Sequence, residues 1–254
     1  MDRPTKMTVT GADRVATDTI RLTLDATWDA RPGQFAMVWV PGEGEKPMSV
    51  VASDPMAVCV RSVGPFSRSL CSRTVGDMIG VRGPYGTGFT LMKDANALLV
   101  AGGMGAAPLA FLANELALGN EVTTLLGART ADQLIMPEAF TNTGGLHIFT
   151  DDGSSGESGI VTSSLDRFIW DTDRVYACGP ERMMVAVLDA ALAADVPCEL
   201  CVERYMKCGV GLCGSCHVGE ICACTEGPVL SGERLNGTGF GRTARDCAGR
   251  RVPV

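Results

Sequence analysis

From Met7 to about Met92 the chain runs as short alternating apolar segments separated by turn residues. Thr19-Ile20-Arg21-Leu22-Thr23-Leu24, Gln34-Phe35-Ala36-Met37-Val38-Trp39-Val40 and Ala57-Val58-Cys59-Val60-Arg61 have the two-residue period or short apolar run of a strand. Arg31-Pro32-Gly33, Pro41-Gly42-Glu43-Gly44 and Arg82-Gly83-Pro84-Tyr85-Gly86 are expected to be turns. Strands this closely spaced, with one short helix near Phe66 to Ser72, predict a small antiparallel β-barrel.

After about Asp94 the rhythm becomes strand then helix. Ala97 to Ala101 reads as an apolar strand, a glycine-rich turn follows, and Pro108 to Leu118 has helical apolar spacing. Glu121 to Gly127, His147 to Thr150, Val175 to Cys178 and Val196 to Val202 are further strands, with a helix over Glu181 to Ala194. Alternation of this kind predicts a doubly wound parallel sheet with helices on both faces, its ligands at the C-terminal ends of the strands. The expected division is residues 1–93 as barrel, 94–202 as α/β domain and 203–254 as a small C-terminal segment.

Bulk properties narrow the function without fixing it. With 46% hydrophobic and 20% charged residues the chain is neither disordered nor collagen-like. A formal charge of -7 argues against nucleic-acid binding, which rests on clustered Lys and Arg. The uncharged stretch Ala97 to Ala113 imitates a membrane span. It is broken by Gly102-Gly103-Met104-Gly105 and falls short of about 20 residues, so no membrane segment is expected. Met1-Asp2-Arg3-Pro4-Thr5-Lys6 lacks the basic start and apolar core of a secretory leader, and a cytoplasmic protein is expected.

Cysteine usage changes the picture most. Seven of the eleven cysteines lie between Cys198 and Cys224, and in a reducing compartment such a cluster points to metal or redox chemistry. Cys208-Gly209-Val210-Gly211-Leu212-Cys213-Gly214-Ser215-Cys216 has the C-x4-C-x2-C spacing of plant-type 2Fe-2S loops. Three thiolates this close together can meet two irons only if the backbone wraps tightly, which Gly209, Gly211 and Gly214 permit. A fourth ligand is required, and Cys222 and Cys224 are both in reach. A zinc site from Cys198, Cys201, Cys213 and Cys216 is the competing arrangement. It is weakened because Cys198 and Cys201, three apart on a strand, face opposite ways, and because Cys208 would be left over.

Nucleotide chemistry is suggested twice more. Gly102-Gly103-Met104-Gly105-Ala106-Ala107-Pro108 follows an apolar strand and opens a helix, where free N–H groups favour phosphate. The G-x-G-x-x-G fingerprint is absent, and a tight turn packed by small residues would look similar. Tyr176-Ala177-Cys178-Gly179-Pro180 ends a later strand in the same crevice, with no base nearby to activate Cys178. In the barrel, Lys46-Pro47-Met48-Ser49 and Gly64-Pro65-Phe66-Ser67-Arg68 offer a cation beside a hydroxyl and a Ser at a helix start. A solvated Lys and an N-cap Ser would account for either alone. The two histidines, His147 and His217, give little material for a hydrolytic triad.

Together these residues resemble the ferredoxin-NADP reductase superfamily and, within it, the electron-transfer subunits of dihydroorotate dehydrogenase. The motifs run in the family's order over nearly the whole chain: Pro32 to Phe35, Lys46 to Ser49, Gly64 to Ser67, Gly83 to Phe89, Gly102 to Pro108, Thr150-Asp151-Asp152-Gly153, Cys178 to Glu181, and Glu203 to Lys207 leading into Cys208. The closing Cys224-Thr225-Glu226-Gly227-Pro228-Val229 looks like the family's fourth ligand and its following turn, so the resemblance selects Cys208, Cys213, Cys216 and Cys224 as the 2Fe-2S ligands.

The resemblance further implies that Lys46, Pro47, Met48, Ser49, Val60, Arg61, Ser62, Gly64, Ser67 and Arg68 bind FAD. Gly102, Gly103, Gly105, Ala106, Pro108, Cys178, Gly179 and Pro180 would border NAD. Many relatives have Arg where this chain has Lys46, which supplies charge without a bidentate fork.

As the resemblance has it, an FMN-containing catalytic subunit, in a heterotetramer, oxidises dihydroorotate in pyrimidine (UMP) biosynthesis. Its electrons reach NAD through the cluster and FAD. This chain would be inactive on dihydroorotate alone. Two alternatives are an NAD-linked flavin reductase subunit of a hydrogenase or ferredoxin-dependent complex, and a zinc-stabilised adaptor. With the barrel and the cysteine segment read as separate, Cys213→Ser should abolish cluster absorption while FAD stays largely bound, measured by visible spectra and by flavin released on denaturation.

Overall fold

The computed structural model describes residues 3–254; the first two positions of the stretch read for a leader lie outside it. Six antiparallel strands close the expected barrel: β1 (Thr5–Ala16), β2 (Thr19–Leu24), β3 (Phe35–Val40), β4 (Gly44–Ser53), β5 (Met56–Arg61) and β6 (Met78–Tyr85). Their order around the barrel is β1-β2-β5-β4-β3-β6. Inward Val9, Leu22, Leu24, Val38, Val58 and Val81 are fully buried, as alternating strands around one core demand. Helix α1 (Pro65–Cys71) covers one end through Phe66 and Leu70.

One expected turn is not a turn. Arg82 to Tyr85 continue β6, with Met37 opposite Arg82 and Phe35 opposite Tyr85, and the register slips between them. Gly83, at φ +137, absorbs that bulge, so the Gly-Pro pair marks a bend within a strand.

The second layer is built on β7 (Asn96–Gly102), α2 (Ala106–Leu116), β8 (Glu121–Ala128), α3 (Pro137–Thr141), β9 (Gly145–Thr150), β10 (Glu157–Ser158), β11 (Arg174–Cys178), α4 (Glu181–Ala193) and β12 (Cys198–Cys201). The stretch that imitates a membrane span is therefore a central strand, a turn and a covered helix. Among the described residues no helix is long and apolar enough to cross a membrane. Leu99 and Ala101 pack under α2, while Leu98 and Val100 face the side that α4 covers, which is why β7 is apolar throughout.

The C-terminal segment is woven into both layers. A two-residue hairpin, β13 (His217–Val218) with β14 (Ile221–Cys222), leads into the short helix α5 (Ala223–Glu226). Then β15 (Val229–Ser231) pairs antiparallel with β12 and completes a seven-stranded sheet, β10-β9-β8-β7-β11-β12-β15. After α6 (Gly232–Leu235) the tail folds back on its own chain, ending in a hairpin of β16 (Thr243–Arg245) and β17 (Arg251–Pro253). Phe240 is buried, and Gly241 N donates to Glu181 Oε1 at 2.7 Å.

At the C-terminal end of the sheet the backbone comes very close at Gly105. A Cβ on Gly105 would stand 2.1 Å from the carbonyl oxygen of Cys178, although its φ of -64 is open to any residue. Gly105→Ala should therefore cost about 1–3 kcal/mol or more through overpacking alone. Gly119→Ala, with nothing within 4 Å of the added atom, should change stability little. Urea unfolding midpoints of the two variants give the comparison.

Candidate functional site

The loop from Val202 to Cys216 has no helix or strand, so its shape comes from glycine and from outside contacts. Gly209, Gly211 and Gly214 take φ of +72, +76 and +68, the left-handed region that turns the chain around a centre. A side chain on Gly209 would also meet Met37 Cγ at 3.0 Å, so that residue lies flat on the barrel.

The wrapping aims backbone donors at sulfur. Gly211 N donates to Cys224 Sγ at 3.1 Å, Leu212 N to Cys208 Sγ at 3.4 Å and Cys224 N to Cys216 Sγ at 3.4 Å. Donors of this kind stabilise thiolates and tune an iron-sulfur centre. Cys208, Cys216 and Cys224 are buried and Cys213 is exposed at the rim. Burial opposes ionisation of Cys213, but hydrogen bonds from Ser215 and Cys208 bring its thiol down to about 6. Burial pushes the Cys216 and Cys224 thiols up. Three thiols on a glycine-lined loop and a fourth on α5, three of the four met by N–H donors, fit a 2Fe-2S cluster.

The two candidates for the fourth ligand are distinguishable. Cys222 Sγ lies 3.8 Å from Cys216 Sγ and 3.7 Å from Cys224 Sγ, so all three thiols share one buried spot. Cys224 alone of the two receives an N–H from inside the C-x4-C loop. The zinc arrangement is not assembled. Cys198 belongs to the core on one face of the sheet and Cys201 to the core on the other. Among the described residues the only three-ligand group is Cys216, Cys222 and Cys224.

Outside contacts hold the loop on both sides. Toward the barrel, Arg82 donates to the Cys208 carbonyl at 2.9 Å, while its Nε and Nη2 grip Glu45 at 2.7 and 2.6 Å. Lys46 Nζ donates to Tyr205 Oη at 3.0 Å and lies 4.8 Å from that ring's centre. Thr87 Oγ1 donates to the Val229 carbonyl at 3.0 Å, five residues beyond Cys224. Toward the sheet, buried Arg204 forks onto Glu181 at the start of α4, with Nη2 to Oε1 at 2.8 Å. Sequence reasoning gave none of these contacts a role: Arg82 fell in an expected turn, and Arg204, Tyr205 and Glu181 fell in quoted motifs, but their partners did not show.

The residues expected at the flavin fall on neighbouring strands. Lys46 to Ser49 lie on β4, and the pairing of Val50 with Val58 sets them beside Val60 and Arg61 at the end of β5. Lys46, Pro47, Met48 and Ser49 are all partly exposed, as a ligand-facing run should be, whereas the Val60 side chain is buried in the barrel. Ser62 and Gly64 form the turn before α1, and Arg68 projects into solvent. Ser67 is not the N-cap but the third helical residue: its Oγ accepts from Val63 N and Gly64 N at 2.9 Å each, fixing the turn from inside. Arg61 reaches Asp18 at 3.3 Å and passes 3.9 Å from where a Cβ on Gly103 would sit, joining the barrel to the next site.

At the sheet's C-terminal end, Cys178 on β11 pairs with Ala101 on β7, so Gly102 to Pro108 and Cys178 to Pro180 do meet. Their glycines divide the labour. Gly102 and Gly105 allow contact with Met183, Pro180 and the Cys178 peptide, whereas Gly103, at φ +52, borders open space. Ala106 and Pro108 begin α2, which has no side-chain cap; the turn Gly103–Gly105 runs straight into it, so the Ala106 N–H already bonds the Gly103 carbonyl and Pro108 has none to offer. A hydrogen bond with Cys201 and burial raise the Cys178 thiol, so it is no nucleophile. His147 packs on Phe168 with ring centres 4.6 Å apart.

Comparison with known proteins adds three findings. Residues 203–236 match the family described as iron-sulfur cluster binding domain of dihydroorotate dehydrogenase B. Proteins named "Probable dihydroorotate dehydrogenase B (NAD(+)), electron transfer subunit" are similar over most of their length. That of Methanocaldococcus jannaschii is 41% identical over 235 residues, covering 90% of each chain. That of Methanothermobacter thermautotrophicus is 44% identical over 240 residues, covering 89% of this chain and 90% of the relative.

A solved structure of an NADH-dependent reduced ferredoxin-NADP oxidoreductase, described in terms of flavin-based electron bifurcation, superposes with a TM-score of 0.84 at 31% identity. It covers 94% of this chain and 93% of its own. The FAD/NAD binding domain of a Vibrio cholerae nitric oxide dioxygenase shares the fold at TM-score 0.66 and 20% identity, over 77% of this chain and 95% of its own.

If Cys224 is the fourth ligand, Cys224→Ser should lose most of the iron and the cluster's visible absorption, while Cys222→Ser keeps both. Iron analysis of anaerobically purified variants reads the difference, and the opposite pattern would transfer the role to Cys222.

Proposed function

Because the chain belongs to the dihydroorotate dehydrogenase B electron-transfer subunits, we propose that its cysteine loop, barrel and sheet hold a 2Fe-2S cluster, FAD and NAD at the sites described above. It is an NAD-linked flavin and iron-sulfur oxidoreductase subunit. The observation that carries the reading is that adjacent N–H groups of the cysteine loop, Gly211 N and Leu212 N, meet the thiols of Cys224 and Cys208, on a loop clamped to the strands proposed to hold the flavin.

When bound, the flavin exchanges hydride with NAD and single electrons with the cluster, which is the step a two-electron carrier and a one-electron carrier need between them. The chain's own residues supply place and environment. Lys46 sets a positive charge on β4 where FAD would lie, without the two-pronged grip of an arginine. Arg61 and Gly103 bring barrel and sheet to the same crevice. Gly211 N and Leu212 N give the sulfurs donors that favour the charged centre. The raised Cys178 thiol and the packed His147 supply no base for dihydroorotate oxidation.

Oxidation of dihydroorotate to orotate therefore belongs to a partner, which we take to be an FMN-containing catalytic subunit in a cytoplasmic heterotetramer serving pyrimidine biosynthesis. The name "electron transfer subunit" carried by the relatives supports a catalytic partner. A second reading, a subunit of a ferredoxin-dependent reductase complex, draws on the likeness to the ferredoxin-NADP oxidoreductase.

The purified chain should oxidise NADH with an artificial electron acceptor yet leave dihydroorotate untouched. Affinity capture from its native host should bring down an FMN protein that oxidises dihydroorotate. Capture of a ferredoxin-reducing partner instead would favour the second reading.

A further inference from the structure

One buried charge is unaccounted for by cofactor binding: Arg82, in the barrel, with a side chain only 4% exposed. Its polar contacts link the flavin strand to the cysteine loop. Nε and Nη2 hold both oxygens of Glu45, Nη1 donates to Tyr85 Oη at 3.2 Å, and Nη2 also donates to the Cys208 carbonyl. Glu45 directly precedes Lys46 on β4, and the Tyr85 ring packs against the guanidinium at 5.4 Å and near Gly209. The contacts thus run from the flavin strand, through a two-pronged ion pair, to the peptide of the first cysteine of the cluster loop. Glu45 keeps Arg82 protonated. A planar fork gripped at both ends fixes direction as well as distance, which a single ammonium cannot do.

We propose that Arg82 is a positioning residue that sets the placement of Cys208, and with it the cluster, relative to the flavin-binding strands. The proposal rests on the assignment of Cys208 as a ligand. Groups that orient a metal's ligands commonly matter about 10- to 100-fold in affinity or activity. Arg82 acts on a ligand's backbone, so its loss should move the cluster without removing it.

The test uses the complete holoprotein. Arg82→Met should retain flavin and iron at the wild-type ratio. The EPR g values of its reduced cluster should shift, and the rate of cluster reduction after rapid mixing with NADH should fall about 10- to 100-fold. Arg82→Lys should restore only part of the rate; full restoration would mean that charge alone suffices and would overturn the positioning role. Wild-type spectrum and rate in Arg82→Met would overturn it as well.

If Arg82→Met does not fold, Glu45→Gln, which loosens the grip but leaves Arg82 in place, should shift the same two readouts in the same direction by less. No shift there overturns the proposal. Cys208→Ser separates the underlying assignment: retention of full iron and a wild-type EPR spectrum would remove Cys208 from the ligand set, and the Arg82 role with it.

Discussion

A stretch without helix or strand carries three of the cysteines, and the contacts that hold it in shape come from the barrel on one side and the sheet on the other. Val202 to Cys216 has no ladder of its own to stiffen it. Its stiffness is borrowed from two buried guanidinium groups, Arg82 on the barrel side and Arg204 within the segment, each gripped by a glutamate. Removing one member of such a pair strands a charge away from water, commonly at about 3–5 kcal/mol. The segment is therefore held by contacts that are expensive to break singly.

The same economy of placement shapes the end of the sheet and ties it to the barrel. Gly105 lets the turn after β7 lie against the Cys178 peptide, while Gly103 leaves its own surroundings open and comes under Arg61. Close packing at one glycine and access at its neighbour give the crevice both a rigid floor and an entrance. Thr87, two residues past the end of β6, holds the Gly227 to Val229 stretch through its hydroxyl. Barrel, sheet and cysteine loop thus share boundaries at which a few polar atoms decide the spacing.

Much of this was legible in the sequence because it depends on local period and spacing. The barrel strands, the covered strand β7 and the C-x4-C-x2-C loop with its three left-handed glycines all announce themselves within about ten residues. Arg82 did not. Its partner carbonyl lies 126 residues further on, and beside Gly-Pro it reads as a turn charge in water. Arg204 and Glu181 are 23 residues apart and each looks like an ordinary surface group. Ser67 was legible as a helix-start residue but not as one that points inward, since only the fold shows which N–H groups it meets. The glycine-rich turn gave the right location but hid two different reasons for its glycines.

Strand β15 has a consequence beyond its pairing. It begins just past Cys224 and pairs along the outer margin of β12, so the cysteine segment and the last rung of the sheet are one continuous stretch. Metal binding is folding energy for the segment that carries it. A chain starved of iron would thus risk losing not only a redox centre but also the cover over a row of main-chain groups, and a bare strand margin invites pairing with other chains. In this architecture iron supply and protection of a strand margin are coupled through one segment of chain.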